Sequence, residues 1–299
     1  MAKKIINDGF LGRLEAISFN MKTAMRGFFG GTHKTKSYGS TVEFADYRDY
    51  ILGDDIRRID WKLYSRFEKF FIKLFTDERQ MHIHIYLDCS RSMAYKESKK
   101  KDFALQTVAA LGYLAIQNMD KVSIKLVKGD CAYDPWGILS GKEAFLGALS
   151  QLEQTEFKGT SDICKAITNS ENPGSNDGMS ILVSDFLGDS NWKAAVDYLL
   201  YKRREVMLVQ TLDPEEMDPS YKGRTIILDA ESADPMDDRN MKMNITRAEY
   251  DAYQKALTDF LADIRAFSVK RGITYMFGRS DAEVERVFFE QMYEQGVIK

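Results

Sequence analysis

Asp88, Ser90 and Ser92 stand two residues apart in Asp88-Cys89-Ser90-Arg91-Ser92, directly after the apolar alternating run 81–87. One carboxylate and two hydroxyls at that spacing, in a loop leaving a strand, can aim three oxygens at one point. Such donors suit a hard cation, Mg²⁺ above all. Two later segments could complete the set. Gly159-Thr160-Ser161-Asp162 offers hydroxyls ahead of a helix, and Asp185 follows the apolar run 179–183 as Asp88 follows 81–87. Neighbouring parallel strands bring their carboxyl ends together, so Asp88 and Asp185 are expected to meet. Alone, the Asp88 loop reads equally as a capped turn whose side chains satisfy backbone donors. The second aspartate and the added hydroxyls favour a cation site.

The elements that must position these residues alternate from about residue 79 onward. Hydrophobic periodicity predicts strands at 81–87, 122–127, 179–183, 206–209, 225–228 and 273–277. It predicts helices near 99–118, 141–151, 162–170, 190–203, 246–270 and 281–294. The first helix gathers Ala104, Thr107, Val108, Leu111, Leu114 and Ala115 on one face, and the long one has Thr246 as its N-cap and Gly272 as its stop. This alternation implies an α/β fold: a doubly wound, mainly parallel sheet with helices on both faces. Residues 1–78 read differently. A helix over 8–27 and a glycine-rich, basic stretch over 27–39 precede a dense aromatic and charged run without a single period. The expected organisation is an N-terminal segment, 1–78, packed on an α/β domain, 79–299. The acidic stretch 229–238 reads as a surface loop.

Composition narrows the class. The chain has 299 residues, 44% hydrophobic and 29% charged, with a net charge of -3, which does not mark a nucleic-acid binder. Charge is uneven: residues 1–80 hold 15 Lys and Arg against 11 Asp and Glu, a balance of +4 that leaves -7 for the remainder. Three cysteines, Cys89, Cys131 and Cys164, form no C-x-x-C pair and suit a reducing compartment. No signal-peptide core and no run near the roughly 20 apolar residues of a membrane span is present, so a cytoplasmic protein is expected. There is no G-x-x-x-x-G-K-[ST] loop for ATP.

The set of D-x-S-x-S, a later Thr/Ser loop and a later strand-end Asp resembles the metal-ion-dependent adhesion site (MIDAS) of von Willebrand factor type A (vWA) domains. The resemblance implies a vWA-like fold with Ser90, Ser92 and one of Thr160 or Ser161 as direct Mg²⁺ ligands. Asp88 and Asp185 would act through water, and an acidic residue of a partner would fill the last position. Alignment of Gly159-Thr160-Ser161-Asp162 with the family's G-G-T-D pattern puts Ser161 where Thr is usual, with Thr160 one position away. Mn²⁺ and Ca²⁺ are the other hard cations such a site admits. The front segment carries a longer motif: Glu43-Phe44-Ala45-Asp46-Tyr47-Arg48-Asp49-Tyr50, then Gly53-Asp54-Asp55-Ile56-Arg57-Arg58-Ile59-Asp60-Trp61 and Ser65-Arg66. With Thr211-Leu212-Asp213-Pro214-Glu215-Glu216, it resembles the DUF58 family. Members of that family commonly accompany MoxR-type AAA+ ATPases, which implies a role in ATPase-driven assembly or maturation of other proteins.

Other conspicuous residues have plainer readings. Asp54, Asp55 and Asp60 are expected to pair with Arg48, Arg57 or Arg58 around a buried Trp61. His82 and His84 lack a third ligand at suitable spacing and read as a packed pair. The Cys89 side chain should point away from Ser90 and Ser92, and Lys99-Lys100-Lys101 reads as a solvated helix start. Three functions follow. The favoured one is a non-catalytic, metal-dependent protein-binding module. The alternative is a metal-dependent phosphatase or hydrolase with Asp88 as nucleophile, which lacks the usual second acid two residues later. Nucleic-acid binding by the basic front segment is the third, without a convincing aromatic and basic surface.

Overall fold

The computed structural model describes residues 9–10, 12, 42–77, 80–94, 99–170, 178–188, 190–219, 223–227 and 241–294. Apart from Gly9, Phe10 and Gly12, the helix expected over 8–27 lies outside these residues, as do the glycine-rich stretch and the 229–238 loop. The chain divides into two compact units, Thr32–Gln80 and Met1–Gly31 with Met81–Lys299.

The larger unit is built on a six-stranded sheet. Its strands are β3 (His82–Asp88), β4 (Lys121–Lys128), β5 (Cys131–Tyr133), β6 (Met179–Ser184), β7 (Glu205–Leu212) and β10 (Thr274–Arg279). They lie in the order β10-β7-β6-β3-β4-β5, and every pairing is parallel except that of the short edge strand β5 with β4. Alternation along the strands feeds two cores. Ile83, Ile85 and Leu87 of β3 face helices α2 (Lys100–Gln117), α3 (Lys142–Leu152) and α8 (Val284–Glu294). Tyr86 of β3, with Leu182 and Leu208, faces α4 (Ile163–Thr168), α5 (Trp192–Tyr201) and α7 (Arg247–Arg271). This is the expected mainly parallel α/β sheet covered on both faces.

The caps follow the local sequence. Thr246 accepts the Glu249 amide while Glu249 returns to the Thr246 amide, and Gly272 closes α7 at φ +64°, in the left-handed region where a side chain costs most. Helix α2 is buried almost throughout, packed on the sheet and on α3, where a Cβ on Gly112 would run into the Phe145 ring. One strand departs from expectation. Residues 225–228 were expected to join the alternation, but β8 (Gly223–Ile227) pairs antiparallel with β9 (Met241–Ile245) in a separate two-stranded sheet. Strand β5 is too short to leave a period in the sequence.

The smaller unit is an antiparallel pair, β1 (Val42–Asp49) and β2 (Phe71–Asp77), joined through helix α1 (Trp61–Phe67). Asp60 organises it. Its carboxylate accepts from the Lys62 and Leu63 amides as N-cap of α1, from Tyr47 Oη at 3.0 Å, and from Lys73 Nζ at 3.1 Å. Enclosure would raise its pKa, but these donors outweigh it and hold the carboxyl at about 2. Arg48 pairs with Asp54 at 2.8 Å, as expected, whereas Asp55 caps the 3₁₀ turn 56–58. Trp61 is 61% exposed, not buried: at the first position of a seven-residue helix it stacks edge-on with Tyr64 and Phe70 and points outward.

Candidate metal centre

Strands β3 and β6 are neighbours in the sheet, with Leu87 opposite Val183, so Asp88 arrives beside Ser184 and one residue from Asp185. This is also where the chain order reverses. From β3 the chain steps to β4 on one side, then returns to β6 on the other. The crevice at such a switch point, outside the carboxyl ends of the strands, is where doubly wound sheets bind ligands.

Asp88 is buried, 4% exposed. Its Oδ1 accepts from the Ser90 amide at 2.9 Å and its Oδ2 from Ser184 Oγ at 2.6 Å. The Ser161 side chain is the third group close enough to favour its charged form. Burial and the nearby charge of Asp185 push its pKa above the usual carboxylate range, and these three groups only partly offset the shift. The Asp88–Ser90 contact folds the loop back, placing Ser90 Oγ 3.1 Å from Ser92 Oγ. The second loop is tied in by main chain. Arg91 N donates to Gly159 O and Lys158 N to Cys89 O, while Gly129 and Thr160 to Asp162 exchange bonds beside them. Asp88, Ser90, Ser92, Ser161 and Asp185 therefore converge. Thr160 enters only through its carbonyl, which accepts from Gly129 N, and its side chain is exposed. Cys89 is buried in the core facing α2, away from the serines, and burial pushes its thiol up to about 12.

Asp185 is held from three sides. Its Oδ1 accepts from Leu187 N at 3.1 Å and its carbonyl from Gln210 Nε2 at 2.9 Å. Phe186 turns the chain at φ +57°, a left-handed conformation that costs an aromatic residue about 1 kcal/mol or more and recurs at functional turns. The third partner was not expected. Lys100, read in sequence as a solvated helix start, is 1% exposed and donates to Asp185 Oδ2 at 2.9 Å and Glu216 Oε1 at 2.5 Å. Burial would lower the Lys100 pKa, but the two carboxylates outweigh it and raise it. Glu216 belongs to α6 (Pro214–Met217), where it also closes a capping box with Asp213. Sequence reasoning missed Lys100, Ser184, Gln210 and Glu216. The one available signal was Lys100 itself, a cation at the first position of a helix, where the dipole disfavours positive charge.

The donor set fits a hard divalent cation. Asp88 lies within electrostatic reach of Asp185, which Lys100 joins to Glu216, and the Ser90 and Ser92 hydroxyls sit 3.1 Å apart in the loop that Asp88 begins. The proximity of the Asp88 and Asp185 carboxyls is a feature that added positive charge would stabilise. Among the described residues, no group of three or more His, Cys, Asp and Glu suited to a metal occurs. A site made mainly of hydroxyls is of another kind. His82 and His84 instead pack edge-on at 4.3 Å between ring centroids, with His82 Nε2 2.9 Å from Ser123 Oγ. Two hollows of about 510 and 540 Å³, at Ser268 and Tyr275 and at Pro214 and Arg279, are lined by none of Asp88, Ser90, Ser92, Ser161 and Asp185.

Comparison with known proteins agrees with the front-segment motif. An uncharacterized protein of Mycobacterium tuberculosis, Rv1480, is 25% identical over 224 residues, 73% of this chain and 70% of that protein. An uncharacterized protein of Mycobacterium bovis, Mb1516, matches to the same extent. Among solved structures, proximal thread matrix protein 1 of the mussel byssus aligns with 10% identity and a TM-score of 0.38 over 73% of this chain. The chain spans 45% of that structure, and a likeness so low carries no argument. Residues 46–259 match the family described as "Protein of unknown function DUF58", covering the front-segment motif from Asp46 onward, the strand-end site and the Asp213–Glu216 element, and the chain belongs to that family.

Proposed function

We propose that this protein is a non-catalytic, cation-dependent protein-binding module, with a vWA-like site formed by Asp88, Ser90, Ser92, Ser161 and Asp185. The supporting observation is the convergence of two strand-end aspartates and three hydroxyls at the switch point of the sheet. Ser90, Ser92 and Ser161 would supply neutral oxygens, with Asp88 and Asp185 behind them. Mg²⁺ held there, or Mn²⁺ or Ca²⁺, would supply a local positive charge that an acidic side chain of a partner can neutralise. The chain's own part is orientation. Ser184 and the Ser90 amide fix Asp88, and Gln210, Leu187 N and Lys100 fix Asp185.

The partner assignment rests on family membership: a MoxR-type AAA+ ATPase, or a client it acts on, in assembly or maturation of other proteins. A phosphatase using Asp88 as nucleophile fits less well. Both Asp88 oxygens already accept hydrogen bonds, the group is enclosed, and Ser90 stands where a second acid would assist. The test is the affinity of the purified chain for its MoxR-type ATPase with Mg²⁺, with chelator, and with Asp185→Ala. Binding should fall together under chelator and in the variant. Equal affinity in all three would reject a cation-bridged contact, and Mg²⁺-dependent turnover of a phosphomonoester lost in Asp88→Asn would favour the enzyme.

A further inference from the structure

We infer that Lys100 is a tethered counter-ion that shares Asp185 with the site's divalent cation, and that Glu216 is the anchor that draws its ammonium aside. The inference rests on the proposed cation site and adds a competitor built into the same fold. Three observations carry it. Lys100 is almost wholly buried, so its ammonium is committed to the partners within reach. It bridges Asp185, on the loop after β6, and Glu216, on α6 after β7. It also stands at the first position of α2, where the helix dipole disfavours a cation, so the two carboxylates must outweigh that disadvantage.

The consequence follows from charge. An ammonium and a divalent cation served by one carboxylate repel each other, and at these separations the repulsion is large even at an effective dielectric near 20. A cation using Asp185 gains if the ammonium leans toward Glu216. Glu216 is well placed to hold it. Its second oxygen accepts from Asp213 N at 2.8 Å, and the Glu216 carbonyl accepts from Tyr253 Oη at 2.5 Å, so its element is fixed from α7. Lys100 would therefore weaken cation binding, and Glu216 would moderate that effect by way of Lys100. Both are positioning residues, since neither is a proposed ligand.

The experiment is a double-mutant cycle on the full chain, with free Mn²⁺ counted by electron paramagnetic resonance. Lys100→Met keeps the stem and removes the charge, so Mn²⁺ affinity should rise by about tenfold or more. Glu216→Gln should lower it. In the Lys100→Met background, Glu216→Gln should have little effect, because its action passes through the lysine. Unchanged or weaker affinity in Lys100→Met would overturn the inference. So would a Glu216→Gln effect of equal size in both backgrounds, the mark of a simple field from a distant charge. If Lys100→Met does not fold, as judged by thermal melting, the same cycle with Lys100→Gln decides. A wild-type chain that binds no Mn²⁺, or binds it equally well as Ser90→Ala with Ser92→Ala, would reject the cation site itself. A Ser90- and Ser92-dependent site indifferent to Lys100 would reject only the competition.

Discussion

Ser184 donates to Asp88 at 2.6 Å, and with that bond a residue outside the motif becomes part of the site. The five oxygen-bearing side chains that converge were legible because D-x-S-x-S and a later strand-end Asp constrain chemistry through spacing. Ser161 lies near Asp88 and Thr160 is exposed, while the sequence left open which of the two would hold a cation because one residue of loop register separates them. Lys100 was not legible, since a run of three lysines at a helix start is ordinarily solvated and only the fold brings Glu216 to it. At Asp60 the prediction concerns shape. Asp60→Asn keeps size but loses the ion pair with Lys73 and weakens both amide caps, so the melting temperature of the hairpin unit should fall. Hydrogen exchange of the Lys62 and Leu63 amides reads this directly, and unchanged protection there would contradict the role assigned to Asp60.

At the scale of elements, strand β3 carries a pH dependence. His82 and His84 are depressed to about 4 and about 2, first by burial and then by Arg204 and Lys125. Both are neutral in the folded chain below the unfolded value of about 6.5, where the unfolded chain takes up protons. Stability is therefore present in full above that value and lost as pH falls from about 6.5 toward 4, by at most about 1.4 kcal/mol per unit for each group. Asp120 opposes this, because burial raises it to about 6 and its protonation stabilises the folded chain between about 6 and 3.8. Asp88 and Glu216, whose pKa values are also raised, act in the same sense as Asp120, so the histidine contribution is isolated by comparison. Between pH 7 and pH 5 the urea midpoint of His84→Gln should rise relative to that of the wild type; an identical pH dependence in the two proteins would contradict the account. Helix α2 carries the second prediction. Gly112→Ala would drive a methyl into the Phe145 ring, and overpacking of this kind costs about 1–3 kcal/mol against a gain of about 1 kcal/mol in helix propensity. Net destabilisation is expected in urea, and a more stable variant would mean that α3 yields. The longer helices of the α/β unit and the parallel strands were legible because their patterns repeat over several residues, whereas the short helices α1 and α6 left none. Strand β5, three residues long, was too short to show a pattern, and the alternation of β9, Met-Lys-Met-Asn-Ile, runs over only five residues.

At the scale of the molecule, the sheet places its switch point between β3 and β6, which brings the two aspartates to one crevice. That much follows from alternating strands and helices together with the rules of parallel sheets. The identity of the proposed partner does not follow, because recognition depends on a surface outside this chain. Among the described residues, no helix is long and apolar enough to cross a membrane. The whole account stands on whether the hydroxyl-lined crevice holds a divalent cation. Calorimetric titration of Mg²⁺ into the full chain and into Ser90→Ala with Ser92→Ala measures this most directly. Saturable one-site binding by the wild type is expected, weakened by about tenfold or more in a double variant that melts within a few degrees of it. Equal affinity in the two proteins would place the cation elsewhere and contradict the account.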